Sequence, residues 1–117
     1  MRAGAIILSI VESERYYRLI RKPEPGDVPG VPKLDHDRWG VRFRAWRDEN
    51  GRLHREDGPA VLWQSGAEEW YKHGKRHRLL GPALTRIMGN RKEYWVDGKR
   101  LKQEPEDWTP YVAGYVI

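Results

Sequence analysis

Between Val41 and Arg47 the side chains alternate. Val41, Phe43, Ala45 and Arg47 fall on one side of an extended strand, and Arg42, Arg44 and Trp46 on the other. The first side reads as a buried face with an arginine at its rim, the second as an indole beside two guanidiniums. Further on, Ala60-Val61-Leu62-Trp63 is a short apolar run, Gln64-Ser65-Gly66 is turn chemistry, and Ala67 to Lys72 returns carrying Trp70 and Tyr71. In that return Glu68, Trp70 and Lys72 share one face and Glu69 and Tyr71 the other, so the adjacent acids point apart and cannot cooperate. Ala83 to Met88, a Gly89-Asn90 turn and Arg91 to Val96 make a second hairpin, while His73-Gly74 and Asp97-Gly98 supply further turns. Gly58-Pro59 and Gly81-Pro82 each set a conformationally permissive residue before one without a backbone donor, which marks a strand entrance. The pattern predicts a mostly β fold, a thin twisted antiparallel sheet with large aromatics on both faces.

These segments are related by an internal period. Gly51-Arg52-Leu53-His54-Arg55-Glu56-Asp57-Gly58-Pro59-Ala60 recurs 23 residues later as Gly74-Lys75-Arg76-His77-Arg78-Leu79-Leu80-Gly81-Pro82-Ala83. Trp70-Tyr71 before Gly74 becomes Tyr94-Trp95 before Gly98. A third copy starts at Gly98 and decays, with Leu101-Lys102 replacing His-Arg. Upstream, His36 and Gly40 keep the spacing of His54 and Gly58 and read as a shortened leading copy. A lone hairpin is marginal in water, so the units are expected to stack edge to edge with atypical copies at the ends. In this reading Gly51, His54, Arg55, Asp57, Gly58, Pro59, Gly74, His77, Arg78, Gly81, Pro82 and Gly98 shape the backbone. The array occupies residues 36–103, preceded by a segment at 1–35 and followed by a cap or tail at 104–117.

The ends carry other patterns. Residues 3–21 mix β-branched and tyrosine-rich stretches, compatible with a strand followed by a short helix capped by Ser13, a small α/β segment, or with a hairpin. Residues 23–33 hold four prolines and two glycines and read as an extended linker. Glu104 to Trp108 suits the start of one helical turn, and Tyr111 to Ile117 reads as a strand-like tail.

Composition narrows the picture. Leu, Ile, Val and Phe total 24 of 117 residues, near the level at which chains stop folding, and six Trp and six Tyr offset this. Such aromatics bury one end while the polar edge finds a partner, so a shallow core dominated by them is expected. Without cysteine there is no disulfide, thiolate metal site or thiol nucleophile. The longest apolar stretch, Ala3 to Val11, is too short to span a bilayer and no cleavage site follows it, so no membrane partner and a cytoplasmic location in a bacterial host are expected. The net charge of +5 permits acidic-protein or nucleic-acid partners and requires neither.

The run Leu53-His54-Arg55-Glu56-Asp57-Gly58-Pro59-Ala60 resembles a repeat common in phage, giant-virus and some bacterial proteins, a divergent relative of the MORN hairpin repeat also found in proteins described as antitoxin-like. The likeness covers roughly residues 36–102. The second copy departs from it at Leu80, which stands where Asp57 does. The resemblance implies tandem β-hairpins and an interaction function, with no catalytic residues.

His54 and His77 invite a metal or general-base reading, but a metal needs three or four convergent ligands and no carboxylate accompanies His77 as Asp57 accompanies His54. Each imidazole is expected instead to cap a turn or pack under a tryptophan, with the following arginine reaching the surface. Asp57 before Gly58 is expected to form an Asx turn, accepting a nearby backbone N–H. No nucleophile–His–Asp arrangement or phosphate loop is present, so the chain is read as a non-enzyme without metal or cofactor. Arg42, Arg44 and Trp46, then Trp70 and Lys72, then Arg91 and Trp95, form the candidate partner-binding weave. Trp46, Trp70 and Trp95 would be its anchors, facing a host protein complex or, alternatively, nucleic acid. The alternative for these side chains is structural, each arginine stacking on its neighbouring tryptophan. An open sheet edge also leaves a homodimer open.

Overall fold

The computed structural model describes residues 25–114. Strands β1 (Lys33–His36), β2 (Arg42–Ala45), β3 (Val61–Trp63), β4 (Glu68–Glu69), β7 (Leu84–Arg86) and β8 (Arg91–Glu93) form one antiparallel sheet, in the order β1-β2-β3-β4-β7-β8. Two small hairpins stand apart from it, β5 (Tyr71–Lys72) with β6 (Lys75–Arg76), and β9 (Trp95–Val96) with β10 (Lys99–Arg100). Among the described residues the one α-helix is α1 (Thr109–Val112), and Met88–Asn90 form a 3-10 turn. The fold is mostly β, as the alternation predicts.

Register sorts the side chains. Lys33, Ala45, Val61, Glu69, Leu84 and Glu93 lie opposite one another in one row across the sheet. From Ala45 to Glu93 that row is buried. The adjacent row runs Leu34, Arg44, Leu62, Glu68, Thr85, Lys92, and is half-buried or exposed. In β2 Phe43 and Ala45 are buried and Arg42 and Arg44 exposed, the alternation a half-buried strand requires. The core is small: Phe43, Ala45, Leu53, Ala60, Val61, Trp63, Ala67 and Tyr71. Only Trp63 and Tyr71 in it carry a polar edge, so aliphatic and alanine side chains dominate where amphipathic aromatics were expected.

The return from Ala67 to Lys72 is not one strand. At Trp70 the chain leaves the sheet: its N–H still donates to Ala83, while its carbonyl accepts from His77. Trp46 bonds likewise to Ala60 and His54, and the Tyr94 carbonyl accepts from Leu101. Each of these fork residues passes the chain from the six-stranded sheet into a side loop or hairpin. In β5–β6 and β9–β10 the turn residues His73, Gly74, Asp97 and Gly98 all have positive φ (46°, 82°, 49° and 79°), as tight two-residue hairpins demand.

Two further expectations are corrected. His36 ends β1 inside the first hairpin, with Nδ1 on its neighbour's Asp37 carbonyl at 3.0 Å, so it does not occupy the place of His54. Tyr111 and Val112 are helical where a strand-like tail was read, because the Asp107 carboxylate accepts the Thr109 N–H at 2.9 Å and Pro110 suits a first turn. The readings for residues 3–21 fall outside the described residues.

Candidate functional site

The histidine corners are built twice from the same contacts. His54 Nδ1 accepts the N–H of His73 at 2.9 Å, and His77 Nδ1 accepts the N–H of Asp97 at 3.0 Å. Each imidazole thus holds the first turn residue of the hairpin that follows about 20 residues later. The neighbouring arginines do not simply reach outward. The Arg55 guanidinium lies 4.0 Å over the Trp46 ring, and that of Arg78 lies 3.8 Å over Trp70. Both donate through Nη1 to a proline carbonyl, Pro59 or Pro82, at 3.2 Å.

Gly58 and Gly81 complete the corner by space, since neither has a positive φ. A Cβ at Gly58 would come within 2.7 Å of Arg55 Cζ, and one at Gly81 within 2.8 Å of Arg78 Cζ. Each guanidinium is therefore sandwiched between an indole and a glycine. Asp57 forms no Asx turn: it is exposed and accepts from Arg55 Nε at 3.3 Å.

Around His54 lies a titratable cluster. Its Nε2 is 3.0 Å from Glu56, its ring stacks on His73 at 3.9 Å, and His73 Nδ1 is 2.9 Å from Asp48. Burial alone would raise the Asp48 carboxyl, but bonds from His73, Arg52 and the backbone of Arg52 and Asn50 outweigh it and bring it to about 2. His54, Glu56 and His73 bring ligand-type atoms within 4.8 Å of one another. The hydrogen bonding argues against an ion there. With Nδ1 accepting a backbone N–H, the proton of neutral His54 sits on Nε2, and a cation at Nε2 would demand the imidazolate or loss of the turn contact. His77 is more enclosed; burial pushes its pKa down, with Lys72 adding to the effect and Asp97 opposing it.

A second polar network, which sequence reasoning missed, is centred on Glu69. Glu69 is 1% exposed and accepts from Trp63 Nε1, from the Tyr71 hydroxyl at 3.0 Å and from Arg76 Nη2 at 2.7 Å. Arg76 also lies 3.8 Å from buried Glu93, which accepts from Trp95 Nε1 at 3.0 Å and pairs with Arg91 at 2.6 Å. Burial would raise the Glu93 carboxyl, but the Trp95 bond and the Arg91 and Arg100 charges hold it below its ordinary value. Burial, with the Glu69 charge beside it, pushes the Tyr71 phenol up. The signal that could have exposed this network was the recurrence of Glu69 and Arg76 as Glu93 and Arg100.

The candidate binding residues separate into three groups. Trp46 and Trp70 are half-buried fork residues covered by Arg55 and Arg78, so the stacking arginines come from the corners and not from β2. Trp95 belongs to the Glu93 network; the residue equivalent to Trp70 is Tyr94, which contacts Trp108 with ring centroids 6.3 Å apart. Arg91 is tied to Glu93, and half-buried Lys72 pairs across its hairpin with Lys75. What remains open is Arg42 and Arg44, joined on β8 by Lys92, which the sequence did not single out; all three are exposed and, among the described residues, without a carboxylate within ion-pair distance. A shallow cleft of about 600 Å³ near the C-terminus is lined by Leu80, Trp108 and Val112 with Glu106 and Asp107 at its margin. Among the described residues no helix is long and apolar enough to cross a membrane.

No protein-family model, curated protein or solved structure matches the chain.

Proposed function

We propose that the chain is a non-enzymatic binding module that receives an acidic protein surface on the exposed face of its sheet. The observation that supports this is the division of labour among cations. Arg55, Arg76, Arg78 and Arg91 are held by rings, carbonyls or carboxylates, whereas Arg42, Arg44 and Lys92 stand exposed on β2 and β8 with no such partner among the described residues. Unpaired cations on a rigid sheet steer an acidic partner and fix its orientation. The likeness of the Leu53–Ala60 run to phage-borne repeats supports a concrete version: a small phage or prophage accessory protein, acting in the cytoplasm of a bacterial host. It would bind a host complex, such as a defence system, and inhibit by occlusion. An antitoxin-like role would use the same surface against a toxin.

A second reading, nucleic-acid binding, draws on one observation. Arg42 and Arg44 are two residues apart on one strand and project about 7 Å apart on the same face, a spacing suited to successive phosphates. Against it, the indoles that would stack on bases each have a face covered by guanidinium. Affinity capture from the native host with the full chain, beside the Arg42→Glu/Arg44→Glu double variant, tests the module. Partners retained by the parent and lost by the variant are expected, and equal capture by both removes the proposal. A labelled oligonucleotide titrated at two salt concentrations decides the alternative, whose affinity must fall steeply with salt.

A further inference from the structure

Three hairpin tips meet at one end of the sheet. Antiparallel pairing sets the start of β2 beside the end of β3 and the start of β4 beside the end of β7, so the β1–β2, β3–β4 and β7–β8 turns are neighbours. Packing ties two of them together: a Cβ at Gly66 would come within 2.6 Å of Ile87 Cδ1. This end carries three of the exposed large apolar side chains, Trp39 at 56%, Ile87 at 72% and Met88 at 89%, while Leu34 and Leu80 are exposed elsewhere. Two of the three neighbouring turns carry such side chains, and the third, at Gly66, packs against Ile87; that grouping is harder to explain than scattered single ones.

The charge at this end is one-sided. Residues 36–42, 63–68 and 86–93 hold five arginines and lysines and three carboxylates, Asp37, Glu68 and Glu93, of which Glu93 is paired with Arg91. Asp37 is 7% exposed and its Oδ1 accepts the N–H groups of Trp39 and Val41, so it is spent on shaping the first turn. Glu68 is half-buried and its charge acts on Arg78. Arg42 sits opposite His36, and Arg86 opposite Arg91, directly below the tips. Protein interfaces concentrate apolar and aromatic anchors inside a polar rim.

We infer that the hairpin-tip end is the anchoring part of the binding surface. Its partner is a protein segment that offers an apolar depression or apolar side chains flanked by carboxylates. Trp39, Ile87 and Met88 enter the apolar part, and Arg42 on β2 and Lys92 on β8 meet the acidic rim. This rests on the reading of the chain as a protein-binding module and adds where the contact is made.

The test uses the intact chain, immobilised and screened against a displayed library of random peptides. The strongest peptide is then titrated into isotopically labelled protein while backbone amides are followed. Selected peptides are expected to combine aromatic or aliphatic residues with Asp or Glu and to shift the amides of Trp39, Ile87 and Met88. Met88→Asp and Trp39→Ser, both at exposed sites, are expected to weaken binding about tenfold or more. Peptides that shift Arg44 and Lys92 and leave Met88 silent would overturn the tip assignment and keep the binding module. A screen yielding no enriched peptide overturns both. A short DNA duplex is the third arm: if it shifts Ile87 and Met88 as strongly as the peptide does, the protein assignment is wrong.

Discussion

The unit around His54 and the unit around His77 share a skeleton and differ in everything attached to it. Common to both are the imidazole on a turn N–H, the guanidinium over a fork indole, the proline carbonyl that receives it and the glycine beneath it. The surroundings diverge. His54 is half-buried with Glu56, His73 and Asp48 about it, whereas His77 is 9% exposed beside the Asp97 carboxylate at 3.4 Å. The buried acids diverge too: Glu69 is enclosed by Trp63, Tyr71 and Arg76, while Glu93 sits on the edge strand and shares Arg76 and Arg91. Parts kept the same in unlike settings are the parts the backbone needs. Side chains that vary freely around them are not required by the corner.

That comparison can be broken at several points. Glu69→Leu would leave Arg76 without its nearest carboxylate, and a loss of about 3–5 kcal/mol is expected in urea unfolding. Glu93→Leu, at the edge, should cost about half as much or less. Equal losses would mean the two acids are not inner and edge versions of one device.

His77→Ala orphans a more enclosed turn N–H than His54→Ala does. About 2 kcal/mol against about 1 kcal/mol is expected. The same difference has a pH signature. The folded pKa of His77 lies below its unfolded value of 6.5, so its contribution is complete above pH 6.5 and is lost as acid drives the pH down towards the folded value. Asp48, at about 2 against 3.8, contributes above pH 3.8 and loses its share as the pH falls through 2. Urea midpoints between pH 8 and pH 4 should therefore fall below pH 6.5 for the parent and fall less for His77→Ala, the Asp48 loss appearing in both only below pH 3.8. A flat profile in the parent contradicts the neutral-acceptor role.

Smaller effects sharpen the picture. Arg55→Lys and Arg78→Lys keep the charge and lose the planar contact between ring and glycine, so each should cost about 0.5–1 kcal/mol and by similar amounts. Leu80 has φ 66° and is 69% exposed, whereas Asp57 at the same place has no positive φ. Leu80→Gly is expected to raise stability by roughly 1 kcal/mol in thermal unfolding, and a loss would show that the side chain packs usefully against the Trp108 cleft.

How much of this was legible follows from how local each signal is. The β2 alternation and the His73-Gly74 and Asp97-Gly98 turns depend on neighbours within a few residues, and they could be read directly. The fork at Trp70 could not, because it exists only through bonds to Ala83 and His77 on other segments. Trp95 lies in the Glu93 network, and the pairs Trp70-Tyr71 and Tyr94-Trp95 already set Tyr94, and not Trp95, in the place of Trp70. The Glu69 network joins residues six, seven and seventeen apart, which neither strand period reveals. Gly58 looked like a site of backbone freedom and proved to be a site of missing volume.

The most direct test is nitrogen NMR of the imidazoles at neutral pH. Nδ1 of His54 and Nδ1 of His77 should both carry no proton and be coupled through hydrogen bonds to the amides of His73 and Asp97. A proton on Nδ1 in either ring, or ring shifts that move together on adding zinc, would contradict the account of these histidines as backbone locks.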